Sequence, residues 1–312
     1  MIILNKINTK GWLLMALLAI CKVGYGQQEA MYSQYMFNTM AVNPAYAGTR
    51  NALNVLVLSR MQWVGLDGAP RTYTFSAHAP IENQKMGLGV SMVADKIGPV
   101  NNYYFNLNYA YHLKLTEALT LSMGLKAGIY NYYVGLNDLG QVNDPTFASN
   151  IEKVFQPNAG VGLYLFSNKF YAGFSIPKMI QGKLSDVEVN GSVLSNLKRH
   201  YFLMGGYVFN VNSDVVLKPS VIEKVVAGAP PSTDLTLQMF YKSNYWFGTT
   251  YRFGDAMAFM AGIQINRQLM FGYSYDITLS SLAGYNHGSH EIMISYDFDG
   301  WMKKEITSAR YF

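Results

Sequence analysis

Beyond residue 51 the side chains of this chain alternate, apolar then small or polar, through one segment after another. In Asn102–Lys114, Tyr103, Phe105, Leu107, Tyr109, Tyr111 and Leu113 share one face, while Asn106, Asn108, Ala110, His112 and Lys114 share the other. In Gln268–Ile277, Leu269, Phe271, Tyr273, Tyr275 and Ile277 oppose Met270, Gly272, Ser274 and Asp276. A period of two is the signature of a strand with different surroundings on its two faces. Fourteen such segments fit the chain, near 52–60, 70–79, 86–95, 101–114, 118–132, 157–166, 169–176, 198–210, 214–225, 233–242, 245–253, 256–265, 268–277 and 289–298. Most are about 8 to 13 residues long. Soluble strands average about 5 to 6 residues, and strands that cross a bilayer need about 9 to 11.

The gaps alternate as well. Those after even-numbered segments are short, at 80–85, 115–117, 167–168, 211–213, 243–244 and 266–267. Those after odd-numbered segments are mostly long, at 61–69, 96–100, 133–156, 177–197, 226–232 and 278–288, with 254–255 the exception. Outer-membrane barrels pair short periplasmic turns with longer external loops in this way. Hydrocarbon offers no water to satisfy backbone amides, so a sheet crosses it only by closing on itself. The chain therefore reads as all-β, a transmembrane antiparallel β-barrel of about 14 strands with both termini periplasmic. Its lipid face would be aromatic and aliphatic, and its lumen small and polar.

Composition agrees. Only 14% of the 312 residues are charged, against about 25% in an average soluble domain. Tyr (24), Phe (17) and Gly (28) are abundant, and mean hydropathy is +0.05, too low for a bundle of membrane helices. Residues 1–26 read as a cleaved secretory signal: Lys6 and Lys10 precede the apolar run Gly11–Cys21, and Gly24 and Gly26 mark the cut. That run is too short to span a bilayer. A lipoprotein signal ending at Cys21 is the weaker alternative, because Ile20 stands where a small residue is wanted. Removing the signal removes Lys6, Lys10 and Lys22 and no acid, so the net charge of +5 falls by three. It also removes the only cysteine. Nothing then argues for a nucleic-acid partner, thiol chemistry or a thiolate metal site.

The stretch between signal and first strand keeps neither a period of 2 nor one of 3.6. The division that follows is 1–26 signal, 27–51 a short periplasmic or plug-like segment, 52–298 barrel and 299–312 a C-terminal tail. This stretch, SQYMFNTMAVNPAYAGT (Ser33–Thr49), resembles the N-terminal signature of the PorP/SprF family of Bacteroidota outer-membrane proteins. The resemblance continues in RMQWVGLDGAPRTYTFSAHAPI (Arg60–Ile81), NYAYHL, LKPSVIEK, YRFGDA (Tyr251–Ala256), GYSYDI (Gly272–Ile277) and GSHEIMISYDF (Gly288–Phe298), spread in order over almost the whole mature chain. It implies a part in type IX secretion and, in gliding relatives, in export or display of large adhesins. The partners it implies are type IX secretion components, a secreted cargo protein and outer-membrane lipid, with no cofactor and no enzymatic activity. A pore for small or apolar solutes, and a purely structural barrel in a trans-envelope complex, are the competing readings.

Six residues stand out as candidate lumen or partner contacts. Asn43-Pro44, with Gly48 beyond, signals a turn, either in a plug packed on the barrel or in a docking strip for a periplasmic partner. Trp63 flanks the first external loop as an interfacial anchor or a ligand contact. Arg252, Asp276 and Glu291 fall on the polar face among Lys114, Lys126, Lys218, Lys224, Lys242, Asp95 and Asp297. Such charges either form rigidifying ion pairs across the lumen or hold a cargo peptide. The two longest loops are solvated, or they form a cargo platform. His287 and His290, beside Glu291, lack the spacing to aim three ligands at one metal. Ser76 and His78 share a face without a third catalytic partner. Gly87-Leu88-Gly89 sits inside a strand and reads as small residues in a curved wall rather than a phosphate loop. No small-molecule substrate is expected.

Overall fold

The computed structural model describes residues 31–50, 52–81, 85–136, 150–182, 188–189, 192–193 and 197–298. The signal, residues 27–30 and the tail 299–312 lie outside the described residues.

Fourteen antiparallel strands form one closed barrel. They are β1 (Leu53–Met61), β2 (Arg71–Ile81), β3 (Met86–Ile97), β4 (Val100–Lys114), β5 (Thr120–Val134), β6 (Ile151–Phe166), β7 (Phe170–Ile176), β8 (His200–Tyr207, resumed at Phe209–Asn210), β9 (Val215–Val226), β10 (Ser232–Tyr241), β11 (Tyr245–Arg252), β12 (Ala256–Gln264), β13 (Leu269–Thr278) and β14 (Ser289–Phe298). Each strand pairs with the next, and β1 closes on β14 from Leu53↔Phe298 to Met61↔His290. A separate two-residue ladder, Glu188–Val189 with Ser192–Val193, lies in the connection between β7 and β8. Among the described residues no helix is long and apolar enough to cross a membrane.

Burial follows the alternation. On β10 the pattern from Ser232 reads buried, intermediate, buried, then strictly exposed and buried in turn to Tyr241. Outward residues such as Leu107, Leu125, Leu203 and Leu237 remain 47–60% exposed, a greasy band with only lipid to cover it. Inward positions carry Thr74, Ser76, Ser122, Gln238, Ser274 and Ser295, all buried.

Most strand limits shift by a residue or two, and two differences are instructive. The connection expected at 96–100 is only Gly98-Pro99, because β3 and β4 stay paired to Ile97↔Val100 and Gly98 supplies a left-handed φ of 54°. And β6 starts at Ile151, well before the expected residue 157. Residues 151–156 also pair with β5, but the ladder slips between Tyr130 and Tyr132, which breaks the alternation there. Phe155 takes a left-handed φ of 53° at that irregularity. Lys242 also leaves the lumen: it and Ser243 hold φ of 51° and 57° in the β10–β11 turn, where Asn244 N donates to Tyr241 O (3.1 Å). Mirror-image turns of this kind match strand twist. Lys114 lies exposed at the end of β4.

Leu125 sits mid-strand on the outer face of β5. Leu125→Arg should destabilise the barrel in lipid by about 2–4 kcal/mol, read from urea unfolding in vesicles.

A filled lumen and its anchor cluster

Residues 31–50 occupy the barrel interior and are almost wholly buried. They fold as single turns, Tyr35–Phe37, Thr39–Val42 and Pro44–Tyr46, none longer than four residues. Such a path leaves backbone groups without partners along its length, and burial makes that costly. The wall supplies the missing partners from its polar face. Ser122 Oγ donates to Ala45 O (2.6 Å), Ser175 Oγ to Val42 O (2.7 Å) and Lys126 Nζ to Ala41 O (3.0 Å). Gly48 N donates to His78 Nδ1 (3.1 Å). The irregular segment needs no period because the wall holds it through side chains.

Asn43 and Pro44 lie at the centre of this packing. Asn43 Oδ1 accepts from Ala45 N (3.0 Å), capping the Pro44–Tyr46 turn, and its Nδ2 donates to Leu163 O on β6 (3.0 Å). The inward glycines have a reason that curvature alone does not give. A Cβ on Gly124 would stand 2.1 Å from Ala45 N, one on Gly87 2.0 Å from Ala47 O, and one on Gly162 2.1 Å from Asn43 Oδ1. These glycines are the bed of the segment.

The segment runs lengthwise. Gly48 meets His78 and Gly87, beside the short β2–β3 turn. Ser33 and Gln34 lie at the opposite end, where the long loops emerge. There Arg60, at the end of β1, pairs with Asp276 (2.7 Å) on β13 and Glu291 (3.1 Å) on β14. Ser33 joins them: its Oγ donates to Asp276 (2.6 Å) and accepts from Arg60 (3.0 Å). The amides of Ser33 and Gln34 both donate to Glu291 (3.0 and 2.8 Å). All three charges are buried, so each depends on the others. Two acids against one cation leave a negative balance, which the two backbone amides moderate.

Arg252 belongs to a neighbouring pair. Its Nε and Nη2 bond Asp234 across the β10–β11 ladder (2.8–3.1 Å), and its Nη1 bonds Asp255 (3.4 Å). Asp276 and Glu291 are thus brought together, while Arg252 takes Asp234 as its carboxylate. Trp63 stands apart, half-buried in the β1–β2 loop with φ 46°, its amide donating to Ser289 Oγ (3.1 Å). His287 packs on Gly65, and His290 bonds the Tyr273 hydroxyl (2.7 Å), so the two histidines serve different neighbours.

An apolar cluster fills the middle of the interior among these polar groups. Phe37 packs on Trp246 with ring centroids 4.7 Å apart, and Tyr46 meets His78 and Tyr164 edge-on. Met36, Met40, Met260, Met270 and Met293 fill the remaining irregular space, as unbranched thioethers do well. Tyr35 reaches Ser220 (3.2 Å). At the turn end Arg50 pairs with Asp297 (3.2 Å); burial would lower the guanidinium, but the carboxylate raises it and the charge persists.

Sequence reasoning did not single out Arg60, Ser33, Gln34, Asp234 or Trp246. Parity places Arg60 with Leu56 and Leu58 and Trp246 with Arg252 on inward faces, so a buried arginine was legible there. Its partners were not, since they come from the far end of the chain.

Comparison with known proteins places this geometry. The profile of the family described as "Type IX secretion system membrane protein PorP/SprF" matches residues 24–296. Among proteins with curated descriptions none matches. Solved structures that it is similar to include Omp33 of Acinetobacter baumannii, at 9% identity and a TM-score of 0.48, covering 80% of this chain and 99% of that one. The CymD monoaromatic hydrocarbon channel gives 13% and 0.49, covering 88% and 95%. A Pseudomonas aeruginosa FadL homologue gives 12% and 0.45, covering 85% and 94%.

Two substitutions test the packing. Arg60→Ala strands two buried carboxylates and should cost about 3–5 kcal/mol, whereas Glu291→Gln, which keeps an acceptor for the Ser33 and Gln34 amides, should cost less; unfolding midpoints in one detergent compare them. Gly124→Ala should loosen the interior segment by about 1–3 kcal/mol, seen as faster proteolysis at residues 31–50 with the barrel intact.

Proposed function

Because the chain belongs to the PorP/SprF family of type IX secretion system membrane proteins, we propose that it is an outer-membrane accessory of that system, supporting export or surface retention of a secreted, adhesin-like protein. It works as a filled scaffold, neither an enzyme nor an open pore. The observation that carries this reading is the lumen itself, occupied from one mouth toward the other by residues 31–50 and fastened at the long-loop end by Arg60, Asp276 and Glu291. Asn43 and Pro44 serve the filling, and Arg252 stiffens the wall beside it.

In this reading residues 1–26 are the cleaved signal, 27–51 the periplasmic or plug-like segment, of which residues 31–50 fill the lumen, 52–298 the barrel and 299–312 a C-terminal tail. The long loops face outward and carry the cargo contacts, with Trp63 supporting the first of them. The short turns face the periplasm, toward the secretion machinery. The Met31 end of the interior segment points to the outer mouth, since Tyr32 shares a hydrogen bond with Thr74 (2.9 Å) near the start of β2.

Deleting the gene and cataloguing surface proteins tests the secretion role: a defined set of secreted proteins should vanish from the cell surface, and an unchanged surface would overturn the assignment. The scaffold reading has its own measurement. In planar bilayers the barrel should carry little current and a variant lacking residues 31–48 a steady one, while a steady current through the intact chain would favour a solute pore. Orientation is checked with single cysteines in the otherwise thiol-free mature chain. A membrane-impermeant maleimide should label Asp67→Cys on intact cells, and Glu117→Cys only after the outer membrane is permeabilised.

A further inference from the structure

The outer surface of β1–β5 is not evenly greasy. Near the long-loop end one cross-strand row runs Ser59, Tyr73, Ala94, Tyr103, Asn131, directly opposite one another along the ladders. Short side chains thus alternate with the two tyrosines. The row beneath is wholly apolar: Val57, Phe75, Met92, Phe105 and Ile129. Phe155, 71% exposed at the β6 irregularity, bounds the far side, held by its amide on Asn131 Oδ1 (2.9 Å). Together they enclose a depression of about 470 Å³ on the lipid face.

The row above the depression carries charge. Arg71 and Lys96 are direct cross-strand partners, both exposed and both on the outward face. Like charges placed opposite each other on a ladder repel. Their chain neighbours Thr72 and Asp95 face inward and bond each other (2.6 Å), so that acid does not serve the pair. Neither Arg71 nor Lys96 has an ion-pair partner among the described residues. The nearest outward acid in the same row, Glu152, lies beyond Asn101 and Tyr133, three ladders away. Two cations thus stand at the membrane rim, over an apolar hollow, in a position that an anion would relieve.

We propose that this is a binding site for a phosphate-bearing, acylated glycolipid of the outer leaflet, its phosphate between Arg71 and Lys96 and one acyl chain in the hollow. Arg offers paired donors to phosphate oxygens and Lys a point charge, and basic clusters at a membrane surface attract anionic headgroups. The site rests on the outward orientation of the long loops, but not on the identity of any cargo.

The test uses the full-length protein, purified in mild detergent, stripped of lipid and titrated with diphosphoryl lipid A or its dephosphorylated counterpart, with bound lipid counted by native mass spectrometry. The intact protein should retain lipid A about tenfold better than the dephosphorylated form. R71A/K96A should lose that preference. A94W, which fills the hollow and leaves both cations, should lower retention of either lipid about tenfold, and K169A at the opposite rim should change nothing. Equal retention of the two lipids by the intact protein, or an unaltered preference in R71A/K96A, overturns the site. So does a co-purifying polypeptide that A94W removes while lipid binding stays constant. The surface-protein readout above is unaffected by either result, so failure here leaves the secretion reading standing.

Discussion

Every backbone amide in the hydrocarbon layer must find a partner within the protein, and the fold depends on how that demand is met between the two ends of the chain. β1 and β14 are separated by the whole barrel sequence, yet they pair over nine residues. That seam also sets the chemistry of the interior. It brings Arg60 of β1 beside Glu291 of β14, with Asp276 one strand further on. The anchor cluster exists only when the ring is closed, so closure and filling support each other.

The interior shows how a barrel of this size avoids an empty lumen. Inward side chains alone do not fill it, and twenty residues of irregular chain do. A small apolar cluster around Phe37, Met40 and Trp246 supplies burial, while serines and a lysine of the wall satisfy exposed carbonyls of the segment. Polar residues facing inward, which would suit a water channel, here form a hydrogen-bonding lining for protein.

The strands were legible because each has lipid on one side and protein on the other, and that asymmetry is written as a period of two. Where a strand breaks the asymmetry, the sequence misleads. The slip at Phe155 breaks the parity of β6 ahead of residue 157, and Lys242 continues the inward parity of its strand although the chain has already turned. Arg252, Asp276 and Glu291 were legible as lumen residues by parity, but not their partners, because ladder registry across β1 and β14 has no local signal. The glycines were legible as small. What they make room for is known only when the N-terminal segment is placed on Gly87, Gly124 and Gly162.

The hydrogen bonds described between segment and wall each use a side chain on at least one partner, and the ladder of the barrel is complete without them. Stopper and tube thus meet through side chains, while strand pairing alone joins the hoop. Substitutions at inward side chains can therefore retune how the bore is filled without redrawing the hoop around it.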